Sequence, residues 1–379
     1  MPPVTHLRAG RIHPLTSLRF FAALSIVFFH TIPTLLPGFP PGQLGQRWLS
    51  AWPVAVSFFF FLSGYILSVV YLSGGKQVQA RNFWSARFAR IYPLFLIALI
   101  MDVPNVIFWR IPVYGLMKSV VITAATFLYD LTLLQAWTPH IRIICTPNWS
   151  LSVEAMFYAL FPFLAPLLWK LRGRKIWLSA IFIYAGGQAL VGVVATHFDK
   201  LIYEWFPIFH LSTFLLGVLL ARWQEETGSL LFSSQARELR TYGTLSIAAI
   251  IYVLVVANVA IHIPYALVHD GLLAPVFACL IWSFSRADTS IARIFSASWL
   301  VVLGEASYGL YLIHAPVWWY FIAIFHAGNV RIWYPFYFSA CVGLSVLSFF
   351  FFEAPIRKRI LQRLASRPHE TMEVASDAQ

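Results

Sequence analysis

The chain is divided by long runs of apolar residues almost free of charge, and no other feature constrains its fold so tightly. Such runs lie at 18–36, 53–72, 91–109, 117–135, 149–168, 176–197, 205–221, 241–261, 265–284, 300–322 and 332–352, eleven in all. A helix that crosses the hydrocarbon core of a bilayer needs roughly 20 mostly apolar residues. The sequence between the runs is too sparse in charge to coat a water-soluble body. Only 11% of the residues are charged and 59% are hydrophobic, whereas a soluble domain carries about 25% charged residues. The sequence therefore predicts an all-α polytopic membrane protein, surrounded by membrane lipid. The 17% aromatic content suits lipid-facing walls and interfacial belts. The formal charge of +12 resides in Lys and Arg placed between apolar runs, where they set orientation, so no nucleic-acid partner is expected. Cys145, Cys279 and Cys341 lie in or beside apolar runs without metal or redox spacing, and neither a disulfide framework nor a metal site is expected. The first run lacks a cleavage site of small residues and is read as a retained helix.

Positive charge marks the cytoplasmic side. It gathers at Arg8, Arg11 and Arg19 near one end and at Arg357, Lys358, Arg359 and Arg363 near the other. Both ends are thus expected inside, which an odd number of spans forbids. The fault lies between two basic loops, one with Lys76, Arg81, Arg87 and Arg90, the other with Lys170, Arg172, Arg174 and Lys175. Three runs separate them where an even number is required. The run 117–135 is the weakest, holding Lys118, Asp130 and several threonines. The expectation is about ten transmembrane helices, with 110–148 an outer-side excursion whose 117–135 segment is re-entrant or interfacial. Irregular backbone at membrane depth must be buried in protein or line a cavity. Three regions follow: a cytoplasmic basic N-terminus at 1–17, a transmembrane domain at 18–352, and a cytoplasmic tail at 353–379, first basic and then polar.

Ionisable residues inside spans are costly and face a bundle interior or a cavity. Arg19 and His30 are eleven residues apart on the first helix, about 16 Å along its axis and close to three turns, so they share a face. A snorkelling arginine with a core histidine and a functional pair both fit that pattern. FFFFLSGYILS brings Ser63, Gly64 and Tyr65 to the second span. Arg87 and Arg90 in RFARIYP are three apart on one helical face, which suits either a grip on phosphate or topology-setting charge. NWSLSVEAMFYALFP places Ser150, Glu154 and Tyr158 one turn apart. Glu154 either complements a helix N-terminus or reaches an intramembrane histidine and orients it. In LGEASYGLYLIHAP, Ser307, Tyr308, Tyr311 and His314 form one stripe, with His314 read as a core histidine in a polar network.

Taken in order and spacing, these segments resemble the acyltransferase-3 family of bacterial membrane O-acyltransferases, from LTSLRFFAALSIVFFH (15–30) to FFEAPIRKR (351–359). The resemblance implies a protein of the bacterial cytoplasmic (inner) membrane. It implies transfer of an acetyl or other short acyl group, usually from acyl-CoA, to a sugar, a lipid-linked or exported glycan, or a macrolide-type product. Acyl-CoA, acetyl-CoA above all, is then a donor substrate, and no tightly bound cofactor is expected. Some members carry an added extracytoplasmic esterase-like domain; this sequence resembles the stand-alone form. Under that resemblance, Arg19, Arg87 and Arg90 form a cationic inner mouth for CoA. His30 is the general base, or an acyl-imidazole relay, and Glu154 orients His30 or the acceptor. Ser63, Tyr65 or a backbone amide of the excursion stabilises the oxyanion. Ser150, Tyr158, Ser307, Tyr308 and His314 are substrate or network candidates. A secondary transporter or flippase is the non-enzyme alternative, although residues 15–109 find no echo in the later half. An unrelated membrane acyltransferase with a His and Asn pair fits less well, because it does not account for the Arg19–His30 pair.

Overall fold

The structure, a computed structural model, describes residues 13–35, 52–141, 143–228, 234–259, 263–285 and 289–365. Among these residues there is no β-strand, and ten helices are long and apolar enough to cross a membrane. They are α1 (His13–Leu35), α2 (Val54–Tyr71), α3 (Ala80–Tyr114), α5 (Trp149–Trp169), α6 (Arg174–His197) and α7 (Pro207–Thr227), followed by α8 (Ser234–Val259), α9 (Tyr265–Phe284), α10 (Ser298–Phe325) and α11 (Val330–Arg363). The eleventh run forms a shorter helix, α4 (Leu116–Asp130). Helix continues from α10 into α11, yet the two run side by side. Tyr337 Oη donates to the carbonyl of His314 at 3.0 Å, and Trp318 packs on Tyr337. Residues 23 apart on a straight helix would be about 35 Å apart, so the chain must reverse between them.

At 15 residues, α4 is about 23 Å long, short of the roughly 30 Å hydrocarbon core. Its amphipathicity is inverted. Ser119, Thr123, Thr126 and Asp130 are buried, while Leu116, Met117, Val121 and Leu128 are exposed. The polar face is turned inward to Arg110 of α3, whose Nη1 donates to Thr123 Oγ1 at 3.0 Å. At 35 residues, α3 is about 52 Å long and outruns the bilayer core, carrying α4 at its tip through Gly115. That residue has φ +74°, a left-handed conformation that glycine adopts without the Cβ clash.

Burial orders the bundle: 67% of α2 and 61% of α9 is buried, against 6% of α6 and 11% of α8. The first pair forms the centre and the second the rim, where apolar side chains such as Phe182 and Leu254 face outward. Central helices approach through glycine, as small residues allow in membrane bundles. A Cβ added at Gly64 of α2 would fall 2.1 Å from the Phe214 carbonyl oxygen of α7, and one at Gly217 would fall 2.0 Å from that of Phe61. Gly304 of α10 sits equally tightly on Thr16 of α1. At that contact Leu15, Thr16 and Ser17, ahead of the apolar boundary at residue 18, are already helical and buried. At the other end, helix continues past residue 352 through a π-helical turn at Phe349–Glu353 into Ala354–Ala365. Residues 1–12 and 366–379, including Arg8 and Arg11, lie outside the described residues.

Candidate functional site

Two cavities lie back to back in the bundle. The first, of about 110 Å³, is lined by Arg19 of α1, Ser63 of α2, Arg87 and Arg90 of α3, Ser150, Glu154 and Tyr158 of α5, and Ser307, Tyr308 and Tyr311 of α10. Ten of the polar residues singled out in the sequence thus converge on one narrow space. Three guanidiniums face one carboxylate there, so the space favours an anion. Aromatic rings and hydroxyls hold the wall. The Arg87 guanidinium lies 5.7–5.9 Å from the ring centres of Tyr71, Phe83 and Tyr158, and its Nη2 donates to Tyr71 Oη at 3.3 Å. Its buried Nε has no protein partner among the described residues. Tyr158 donates to Glu154 Oε1, Tyr308 Oη donates to the Ile91 carbonyl at 2.8 Å, and Ser307 Oγ bonds within its own helix to Gly304.

The second cavity, of about 730 Å³, is lined by His30, Asp102, Asn105, Arg110, His314 and four indoles, Trp109, Trp205, Trp318 and Trp319, among others. Its size falls within the roughly 300–1,000 Å³ of small-molecule sites. Asn105 Nδ2 donates to Asp102 Oδ1 at 3.0 Å. Hydrogen bonds link the linings of the two spaces. Tyr311 Oη is 2.6 Å from Ser150 Oγ, both lining the first cavity, and donates at 2.8 Å to the carbonyl of Pro147, which lines the second.

His30 and His314 meet in the larger cavity, with His30 Nδ1 3.0 Å from His314 Nε2. The backbone decides their tautomers. His314 Nδ1 lies 2.7 Å from the Tyr311 carbonyl and 3.2 Å from that of Leu310. Carbonyls only accept, so Nδ1 carries the proton and Nε2 of the neutral ring is an acceptor. His30 must then donate from Nδ1, which leaves its Nε2 lone pair as a base. A base whose tautomer is fixed by a second group can take a proton from a hydroxyl within hydrogen-bond reach.

The structure corrects three sequence expectations. Glu154 is turned into the arginine cavity and bonded by Tyr158; the partner of His30 is His314. Arg19 and His30 do share a helix, but they line different cavities. Tyr65 lines neither cavity. It is buried against α7, where its Oη donates to Gln224 Oε1 at 2.6 Å, and so cannot reach an oxyanion there. Sequence reasoning also passed over Asp102, Asn105 and Arg110 of the larger cavity. The signal was present, since Asp102 is an aspartate inside an apolar run and the rule that selected His30 applies equally to it.

Residues 13–350 match the acyltransferase-3 family, described as an acyltransferase domain. The chain is 30% identical over 343 residues to Acyltransferase MdmB of Streptomyces mycarofaciens, covering 84% of this chain and 80% of that protein. It is 24% identical over 376 residues to Peptidoglycan O-acetyltransferase OatA of Listeria monocytogenes and 25% identical over 377 residues to a putative O-acetyltransferase of Staphylococcus aureus. Those matches cover 94% and 93% of this chain but only 58% of either relative. No solved structure matches the chain.

Proposed function

Because the chain belongs to the acyltransferase-3 family, we propose that it is a membrane O-acyltransferase moving an acetyl or other short acyl group from cytoplasmic acyl-CoA to a sugar hydroxyl of an exported or lipid-linked glycan. The observation that carries this reading is the His30–His314 pair, with a lone pair on His30 at a cavity fit for an acceptor. The donor enters from the end that carries Arg87, Lys170, Arg222 and Arg293, the cytoplasmic side by its charge. CoA phosphates are held by Arg87 and Arg90 with Arg19 deeper, and the acyl thioester reaches toward Tyr311. In the larger cavity the indoles stack on the C–H faces of a sugar, while Asp102, Asn105 and Arg110 bind its hydroxyls. His30 Nε2 takes the proton of the reacting hydroxyl as its oxygen attacks the thioester carbonyl. The C–S bond then breaks, the ester is left on the sugar, and the proton on His30 passes to the departing CoA sulfur. The names of the O-acetyltransferase relatives support an acetyl group and, for one of them, a cell-wall glycan.

The test is transfer of labelled acetyl from acetyl-CoA to lipid-extractable and polymeric saccharides in membranes. Loss of a general base costs about 10²–10⁴ in rate. His30→Ala and His30→Gln should both fall by that order while retaining expression and acetyl-CoA binding. Substantial turnover by His30→Gln, which hydrogen-bonds but cannot take the proton, overturns the role of His30. Labelling of a small molecule without saccharide overturns the glycan acceptor.

A further inference from the structure

In the core, His210 of α7 meets two neighbouring residues distant from it in sequence, His269 and Asp270 at the π-helical turn Val268–Leu272 within α9. All three are buried, at 0%, 3% and 0% exposure, and their ligand-capable atoms lie within 4.8 Å of one another. We propose that they bind a divalent first-row transition-metal ion that braces α7 against this turn.

The hydrogen-bond account of the cluster fails at His210. Its Nε2 lies 2.9 Å from the Glu204 carbonyl, so Nε2 carries the proton and Nδ1 of the neutral ring is bare. That bare nitrogen lies 2.9 Å from Asp270 Oδ1, acceptor against acceptor. A protonated His210 would make the contact an ion pair, but its Nδ1 still lacks hydrogen-bond geometry to any partner among the described residues. A cation held beside both atoms accounts for the approach. With metal bonds of about 2.0–2.1 Å, two ligands of a tetrahedral ion are roughly 3.3 Å apart. The observed separations from Asp270 Oδ1 are 2.9 Å to His210 Nδ1 and 3.2 Å to His269 Nδ1, the latter also within hydrogen-bond geometry.

Two more orphaned atoms surround the same point. Asp270 Oδ2 and Thr213 Oγ1, one turn beyond His210, are buried without a partner among the described residues. Buried polar atoms in a native protein are nearly always satisfied. Thr213 Oγ1 lies 2.1 Å from where a Cβ of Gly271 would stand, and Gly271 has φ +102°, so both space and backbone there require glycine. The surroundings match those of a metal site. The far nitrogen of His210 donates to a backbone carbonyl, as metal-bound imidazoles do to fix their tautomer. The rings of Trp149, 5.4 Å from His210 and 5.8 Å from His269, and of Tyr265 close it off. Two imidazoles and one carboxylate suit zinc, iron or manganese, whereas calcium and magnesium favour all-oxygen shells.

The test is metal analysis of untagged protein purified in mild detergent and passed through gel filtration, both as isolated and after chelation and reconstitution with zinc. Close to one ion per chain is expected, with the thermal midpoint lowered by the chelator and restored by zinc. His210→Gln and Asp270→Asn should elute as the wild type does but lose the ion. Substoichiometric metal in the wild type both as isolated and after reconstitution overturns the proposal, as does undiminished metal in both variants. Cobalt supplies a second readout: ligand-field bands of a nitrogen and oxygen site that vanish in His210→Gln support the proposal, and bands that persist there oppose it.

Discussion

Replacing His314 with phenylalanine keeps a ring of similar size in a fully buried site and removes both the acceptor of the His30 bond and the Nδ1 donor to the Tyr311 carbonyl. In the resting state the lost bond from His30 Nδ1, 3.0 Å long, joins two neutral rings and is worth about 0.5–1.5 kcal/mol. As His30 takes a proton the same bond becomes charge-assisted and worth roughly 1.5–3 kcal/mol. Only the difference bears on the chemical step, about 1–2 kcal/mol or roughly 5–30-fold in rate. His30 is also freed to place its proton on Nε2, which costs a further factor of a few, so kcat should fall about 10–100-fold in all. The Tyr337 bond to the His314 backbone carbonyl survives the change and should preserve the α10–α11 packing. Initial rates in membranes or detergent, over a range of acetyl-CoA concentrations, should show lower kcat with unchanged donor KM. His314→Gln, whose amide oxygen can accept from His30 Nδ1, should recover part of the loss. A His314→Phe protein that turns over at the wild-type rate would refute the reasoning. So would a glutamine variant no better than phenylalanine when both are folded.

Further outcomes follow from other parts of the bundle. Arg87→Ala and Arg90→Ala should raise the apparent KM for acetyl-CoA by an amount corresponding to about 2–5 kcal/mol for a buried charge contact, with acceptor KM little changed; equal effects on both substrates in steady-state kinetics would count against a donor site. Gly217→Ala places a methyl 2.0 Å from the Phe61 carbonyl, backbone that cannot swing away, and should cost about 1–3 kcal/mol, read as a lower thermal midpoint in detergent. A cysteine introduced at Thr138 should react with a membrane-impermeant thiol reagent in intact spheroplasts; labelling only after lysis would show that the excursion is on the inner side.

The number of spans was legible because charge parity forced one apolar run out, and α4 is indeed too short and too polar on one face to cross. Within single helices the pairings were legible too, since Arg87 with Arg90 and Glu154 with Tyr158 each follow helical spacing, although their meeting in one cavity was not. What failed depended on crossings between helices. His30 meets His314 across 284 residues, and no periodicity on either helix records that they face each other. Glu154 was read as orienting His30 or the acceptor, but azimuth decides contact, and Glu154 lines the arginine cavity while His30 lines the other. The His210, His269 and Asp270 cluster was hidden for the same reason: its members belong to two helices, and the π-turn that turns them together carries no spacing signal.

The hydrogen bonds among Ser150, Tyr311 and Pro147 bear on ion leakage as well as on the proposed reaction. Moving one elementary charge across such a membrane exchanges about 2.3 kcal/mol per 100 mV, so an open bore through the bundle would dissipate the ion gradient at every turnover. Under the proposed reaction, the charged nucleotide would remain with the arginines while only an uncharged acyl tip passed the plane of Tyr311, so a carbonyl and not an ion would be handed on.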